Sequence, residues 1–156
     1  FATGAATFQE IKSIIRFLAS NPLDEDPICF HCVSAYPAED SQIALRSGMG
    51  ITRGRNLVNG FSDHTQGSLS AQLALAMGYT VFEKHTLATE EAISPDASVA
   101  LSPSAFARWI SDLKIADRIL GSEKKCVQSS ERSERIWARR GDDGLRPARV
   151  IPEEGI

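Results

Sequence analysis

No stretch of the sequence approaches the roughly 18 consecutive apolar residues that a membrane-spanning helix requires. The N-terminus also lacks the basic-then-apolar layout of a secretory signal. Positive charge is not in excess: 17 Lys and Arg face 20 Asp and Glu, mixed along the chain. Neither a nucleic-acid footprint nor a polybasic membrane patch is therefore legible. Cysteine is scarce, with three residues, Cys29, Cys32 and Cys126, an odd set that excludes a fully paired disulfide framework. Cys29 and Cys32 have the spacing of a redox pair. However, Ile28–Val33 reads as a strand, on which residues three apart point to opposite faces. Buried, reduced thiols and a reducing cytoplasm are expected. Histidine is equally scarce, yet two of the three fall in matched places.

Those two close consecutive strand-like runs, Gly60-Phe61-Ser62-Asp63-His64-Thr65 and Thr80-Val81-Phe82-Glu83-Lys84-His85. Between them Ser68–Met77, rich in Ala and Leu and followed by Gly78, reads as a helix with a glycine stop. The result is a strand–helix–strand unit with a histidine at the C-terminal end of each strand. In parallel α/β folds the loops leaving that edge converge on one crevice, where chemistry is built. Two neutral imidazoles there can hold a divalent metal.

The rest of the chain repeats the alternation. Phe1-Ala2-Thr3-Gly4 reads as a strand tail and turn. Thr7 caps a helix over Phe8–Ala19, with Glu10 as capping-box partner and Phe8, Ile11, Ile14, Ile15 and Leu18 on one stripe. The strand Ile28–Val33 follows, then a helix or partial helix over Glu39–Arg46. Ser47–Asn59, rich in Gly and Arg, reads as irregular. After the histidine strands comes a long loop, Thr86–Val99. Ser102-Pro103 then opens the best-defined helix, whose expected buried face is Phe106, Trp109, Ile110, Leu113, Ala116, Ile119 and Leu120, ending at Gly121. Short strands alternating with helices argue for an α/β fold with a parallel sheet. About four such units make half a (β/α)₈ barrel, and an open doubly wound sheet is the competing architecture. From Ser122 the chain is polar and reads as an exposed linker. Its opening inside a strand end, and its final Ile151-Pro152-Glu153-Glu154-Gly155-Ile156, read as those of an interior fragment.

Alternation sorts the polar candidates. Ser62 and His64 share a face, with Asp63 on the other. Glu83 and His85 share a face, with Lys84 opposite. Cys32, Ser34 and Tyr36 share a face on the preceding strand. A glutamate turned into a barrel needs a partner, such as a Lys or a substrate hydroxyl. Each candidate also has a plain structural reading: strand-end histidines often serve as hydrogen-bonded rim residues, and Tyr36-Pro37 alone is an ordinary turn. His31, opposite Cys32, reads as structural. Without thiolates, the His64/His85 pair is not a structural zinc site.

Phe30-His31-Cys32-Val33-Ser34-Ala35-Tyr36-Pro37, Gly60–Thr65, Glu83-Lys84-His85 and Pro95-Asp96 together resemble the sialic acid synthase family, which includes the pseudaminate and legionaminate synthases. Thr3-Gly4 with Ala6-Thr7 is similar to that family's "STGMAT" turn, and the likeness runs from about Ala2 to Gly121. The resemblance implies that residues 1–121 are the C-terminal half of a (β/α)₈ (TIM) barrel, and 122–156 a linker towards an antifreeze-like domain. It implies condensation of phosphoenolpyruvate with an N-acetylated amino sugar, releasing phosphate, by a cytoplasmic enzyme that is a homodimer when intact. Mn²⁺ or Mg²⁺ on His64 and His85 would polarise the aldehyde oxygen and orient the attacking water. Glu83 would join the two histidines in catalysis. Ser34, Tyr36 and Asp96 would meet the sugar, and Ser62 the phosphoenolpyruvate.

The chain also departs from the pattern. The family's "EKHFTL" is here Glu83-Lys84-His85-Thr86-Leu87, without the Phe, and "GPDHKAS" is Ser94-Pro95-Asp96-Ala97-Ser98, without the His and Lys. Ala2 replaces the first Ser of "STG". The glutamate and lysines that the family draws from its first barrel half have no counterpart. The isolated chain is accordingly expected to be inactive. Two other functions compete: a non-catalytic half-barrel serving assembly or sugar binding, and a metal-dependent aldolase of another barrel family. Retention of Ser62, His64, Glu83 and His85 weighs against the scaffold, which has no use for a costly polar cluster.

Overall fold

A computed structural model describes residues 1–145, so the final segment 151–156, read above as that of an interior fragment, lies outside the described residues. The chain divides into two compact units, Phe1–Gly121 and Ser122–Ile156.

In the first unit α1 (Phe8–Ser20) begins with the expected capping box: the Thr7 side chain accepts from the Glu10 N–H, and Glu10 accepts from the Thr7 N–H. Its stripe buries Ile11 against Cys29 and Ile51, whereas Phe8 at its start stays half exposed. Three strands follow, β1 (Ile28–His31), β2 (Val58–Asp63) and β3 (Val81–Lys84), all parallel and ordered β1-β2-β3. A parallel bridge from Ala2 to Phe30 adds the chain start beside β1. Each new strand thus lies beside its predecessor, with no reversal of direction.

The crossover segments are α2 (Leu45–Thr52) and α3 (Leu69–Ala76), and α4 (Pro103–Leu120) follows β3. Their face carries the main core, in which Phe61 and Tyr79 meet Ala71, Ala74 and Trp109, with Phe82 and Phe106 against the Trp109 ring. Removing such aromatic surface from water stabilises the unit by about 25 cal/mol per Å² buried.

The sequence reading needs correction in three places. Leu45–Thr52 is helical, although Ser47–Asn59 read as irregular. Gly48 and Gly50 suggested a loop, but Gly48 serves packing: a Cβ there would lie 2.2 Å from the Tyr79 hydroxyl and 2.5 Å from the His31 ring. Second, Ile119 and Leu120 are 78% and 49% exposed, because the last turn of α4 passes beyond the buried stripe centred on Trp109. Third, Cys126 is exposed, while Cys29 and Cys32 are buried and free as expected.

In the second unit the described residues hold a short 3₁₀ turn, Ser129–Glu131, capped through Gln128, and a single helical turn, α5 (Arg135–Ala138). No described helix is long and apolar enough to cross a membrane.

Candidate functional site

The parallel register of β2 and β3 sets Ser62 opposite Glu83 and Asp63 opposite Lys84. Both strands end there, and the next residue on each is a histidine. Ser62 and Glu83 meet on the face turned away from the helices, where the Ser62 hydroxyl donates to Glu83 Oε1 at 2.6 Å. One step further the His64 and His85 rings stand 5.3 Å apart, centroid to centroid, inclined by 60°. The Tyr36 ring packs 4.4 Å from His64 and 5.6 Å from His85, so three rings enclose one corner of the strand edge.

The hydrogen bonds fix the chemistry of His64. Its Nδ1 lies 2.7 Å from the Val33 carbonyl oxygen, which can only accept, so Nδ1 carries the proton. In the neutral ring Nε2 then holds the lone pair. Ser62 Oγ is 3.4 Å away but gives its proton to Glu83, which leaves that lone pair uncommitted. A second contact with the same loop, from the Ala38 N–H to the His64 carbonyl at 2.9 Å, holds the backbone.

The segment Thr86–Val99, expected as a long loop, is pinned at its base by a parallel bridge between Thr86 and Leu101. It returns to the site at two points. Asp96 Oδ2 lies 3.5 Å from His85 Nδ1, and the Ser98 hydroxyl reaches the Tyr36 carbonyl at 3.4 Å. Asp96 is thus beside a histidine.

On the opposite face Asp63 and Lys84 form a fully buried ion pair at 3.3 Å. Desolvation lowers the Lys84 pKa below its ordinary value, against the pull of the Asp63 charge. Asp63 Oδ1 accepts from the Thr65 N–H at 2.8 Å and the Thr65 hydroxyl at 2.7 Å, and Lys84 donates to the Thr65 carbonyl. Alternation puts both residues on this face, but their pairing depends on the register between the strands. The signal was the repeated polar–charged–histidine triplet, Ser-Asp-His and Glu-Lys-His.

The structure therefore gathers Ser62, His64, Glu83, His85, Tyr36 and Asp96. Ser34 sits against the N-terminal turn: a Cβ on Gly4 would fall 2.2 Å from its Oγ. It lines a cavity of about 410 Å³ with Thr3, Cys32 and Ile43. His31 is buried between the Phe61 and Tyr79 rings, its Nε2 2.6 Å from the Ile43 carbonyl, as its structural reading required.

Among the described residues no three or more His, Cys, Asp or Glu side chains form a ligand cluster. The two imidazoles are an open donor pair. Their chemistry fits a catalytic ion that keeps most of its positions for water or substrate, and it does not fit a closed structural site.

The description of the NeuB family matches residues 1–125. The chain belongs to the NeuB family. Among named members, it is 30% identical to the N,N'-diacetyllegionaminic acid synthase of Legionella pneumophila, over 89% of this chain and 40% of that protein. It is 26% identical to the pseudaminic acid synthase of Campylobacter jejuni, over 99% of this chain and 46% of the relative. Its fold is similar to the crystal structure of an N-acetylneuraminic acid synthetase from Leptospira borgpetersenii. There the TM-score is 0.72 at 26% identity, covering 85% of this chain and 46% of that one. This NeuB-family chain spans less than half the length of the curated relatives it matches.

Proposed function

We propose that the chain supplies the C-terminal half of a (β/α)₈ barrel that condenses phosphoenolpyruvate with an N-acetylated amino sugar, forming a nonulosonic acid and releasing phosphate. The carrying observation is the convergence of His64 and His85 at one strand edge with the His64 tautomer fixed by Val33. The unreversed strand order and the helices on one face suit a barrel half. Residues 122–156 are read as the connection to a further small domain. The buried free thiols suit a reducing cytoplasm, and a homodimer is expected of the intact enzyme.

His64 Nε2 and a nitrogen of His85 would hold Mn²⁺ or Mg²⁺, and nitrogen donors favour the transition-metal ion. Such an ion supplies Lewis-acid polarisation of the sugar aldehyde. The chain's own groups do the rest. Tyr36 offers a ring and a hydroxyl to the sugar, and Asp96 accepts from sugar hydroxyls. Ser62 orients Glu83, whose carboxylate holds a hydroxyl or the attacking water. Carbon–carbon bond formation joins C3 of phosphoenolpyruvate to the aldehyde carbon. Addition of water at C2, with loss of phosphate through C–O cleavage, completes the reaction. Ser34 would serve the neighbouring wall of the barrel.

The test is reconstitution with the N-terminal barrel half of a NeuB-family relative, following phosphate release from phosphoenolpyruvate and N-acetylmannosamine or its diacetylated analogues. The expected result is release by the reconstituted barrel and none by the chain alone. A folded, Mn²⁺-binding barrel that releases no phosphate with any of these sugars would contradict the proposal, as would activity of the chain alone.

A further inference from the structure

The buried Asp63–Lys84 pair takes no part in the chemistry above, yet two full charges without solvent contact are costly to hold. Apolar side chains are plainly accommodated on this face, since Phe61 and Phe82 occupy it one strand repeat earlier. The pair must therefore provide something that packing alone does not.

Its connections show what that is. The β2–β3 ladder ends at Asp63↔Lys84, so the pairing between these two strands stops short of the next residues, His64 and His85, whose carbonyls are held only from outside the pair, by the Ala38 and Leu101 N–H groups. Lys84, immediately before His85, reaches both residues that flank His64: the Asp63 carboxylate at 3.3 Å and the Thr65 carbonyl. Asp63 in turn holds the Thr65 N–H and hydroxyl, and that hydroxyl also meets Ser70 on α3. One ammonium thus ties both neighbours of the first histidine, the Asp63 side chain before it and the Thr65 backbone after it, to the residue preceding the second. A hydrophobic pair could fill the space but could not bind the Thr65 carbonyl.

We infer that Asp63 and Lys84 are positioning residues, a side-chain clamp that extends the strand register one residue past its last pair and keeps the two imidazoles converged. The inference rests on the proposed metal reading for what the imidazoles do, but its geometric part is testable without metal.

The experiment uses the reconstituted barrel with ¹⁵N-histidine in this chain alone, which labels three rings. In the metal-free wild type, NMR should show His64 as a single Nδ1–H tautomer and His31 as the opposite, Nε2–H tautomer. Lys84→Met should give a mixed His64 tautomer with His31 unchanged, and Mn²⁺ affinity by calorimetry should fall about 10- to 100-fold. Lys84→Met leaves a buried carboxylate unpaired, so Asp63→Asn/Lys84→Met provides a second variant without net buried charge. The same mixed tautomer is expected there in a protein of normal circular dichroism. Unchanged His64 and His85 signals in the folded double variant would overturn the inference. A wild type that shows the tautomer change on mutation but binds no Mn²⁺ would support the clamp and overturn the metal reading.

Discussion

His31 and His64 are alike in burial, in lying at strand C-terminal ends, and in having one ring nitrogen against a backbone carbonyl. They differ in which nitrogen is tied and what the other one meets. His31 binds the Ile43 carbonyl through Nε2, and its Nδ1 is sealed without a partner among the described residues. Its ring lies between Phe61 and Tyr79, on the helix-covered face, against a bare Gly48. His64 is tied through Nδ1, so the outer nitrogen is left on the side of Ser62, in a ring that packs beside His85 and Tyr36. Burial alone therefore does not separate a core histidine from a ligand. The direction of the uncommitted lone pair does.

The largest effect that sharpens this contrast is expected in catalysis. His64→Ala in the reconstituted barrel should lower phosphate release about 1,000-fold, the loss of several kcal/mol of transition-state stabilisation. His31→Phe, which keeps a planar ring on the core face, should leave turnover within a few-fold. Comparable losses from both would erase the distinction.

A smaller effect belongs to the His31 side. Gly48→Ala forces a methyl group into the Tyr79 hydroxyl and the His31 ring, and should destabilise the fold by about 1–3 kcal/mol. The urea midpoint checks this, and an unchanged midpoint would show that α2 shifts freely. Mn²⁺ affinity should not move, because α2 lies on the helix-covered face.

Asp96 comes next. Asp96→Asn should raise the amino-sugar KM about 10-fold with little change for phosphoenolpyruvate, roughly the worth of one charge-assisted hydrogen bond. Equal losses for both substrates would assign Asp96 to orienting His85 through the contact at 3.5 Å. No loss would leave it a solvated loop residue.

The smallest effect is a pH dependence beside His31. Burial pushes the Tyr79 pKa up to about 12. A raised pKa favours the neutral form, so this contribution to stability is complete below about pH 10 and is lost as pH rises from there through about 12. Tyr79→Phe should flatten that alkaline decline. It should also cost about 1 kcal/mol at neutral pH, through loss of the hydrogen bond to the Leu45 carbonyl. Chemical denaturation at pH 8 and pH 11 measures both.

What was legible in the sequence follows from how local each signal is. The capping box at Thr7 and Glu10 and the Ser102-Pro103 start are written within four residues, and both helices begin where expected. The faces of Ser62, Asp63, Glu83 and Lys84 followed from alternation alone. Non-local facts were not legible. Gly48 resembles a loop signal until Tyr79 is brought to it, and the Asp63–Lys84 pair needs the register between two strands. Ser34 shares a side with Cys32, as alternation required, but that both lie against the Gly4 turn was not legible. Only a carbonyl from Val33, 31 residues away, decides the His64 tautomer.

Mn²⁺ binding by the metal-free reconstituted barrel, measured by calorimetry for the wild type, His64→Ala, His85→Ala and His31→Phe, tests the histidine site most directly. The expected result is one ion bound by the wild type and by His31→Phe with similar affinity, and a loss of at least about 100-fold in either of the other variants. Wild-type affinity in His64→Ala, or its loss in His31→Phe alone, would contradict the site.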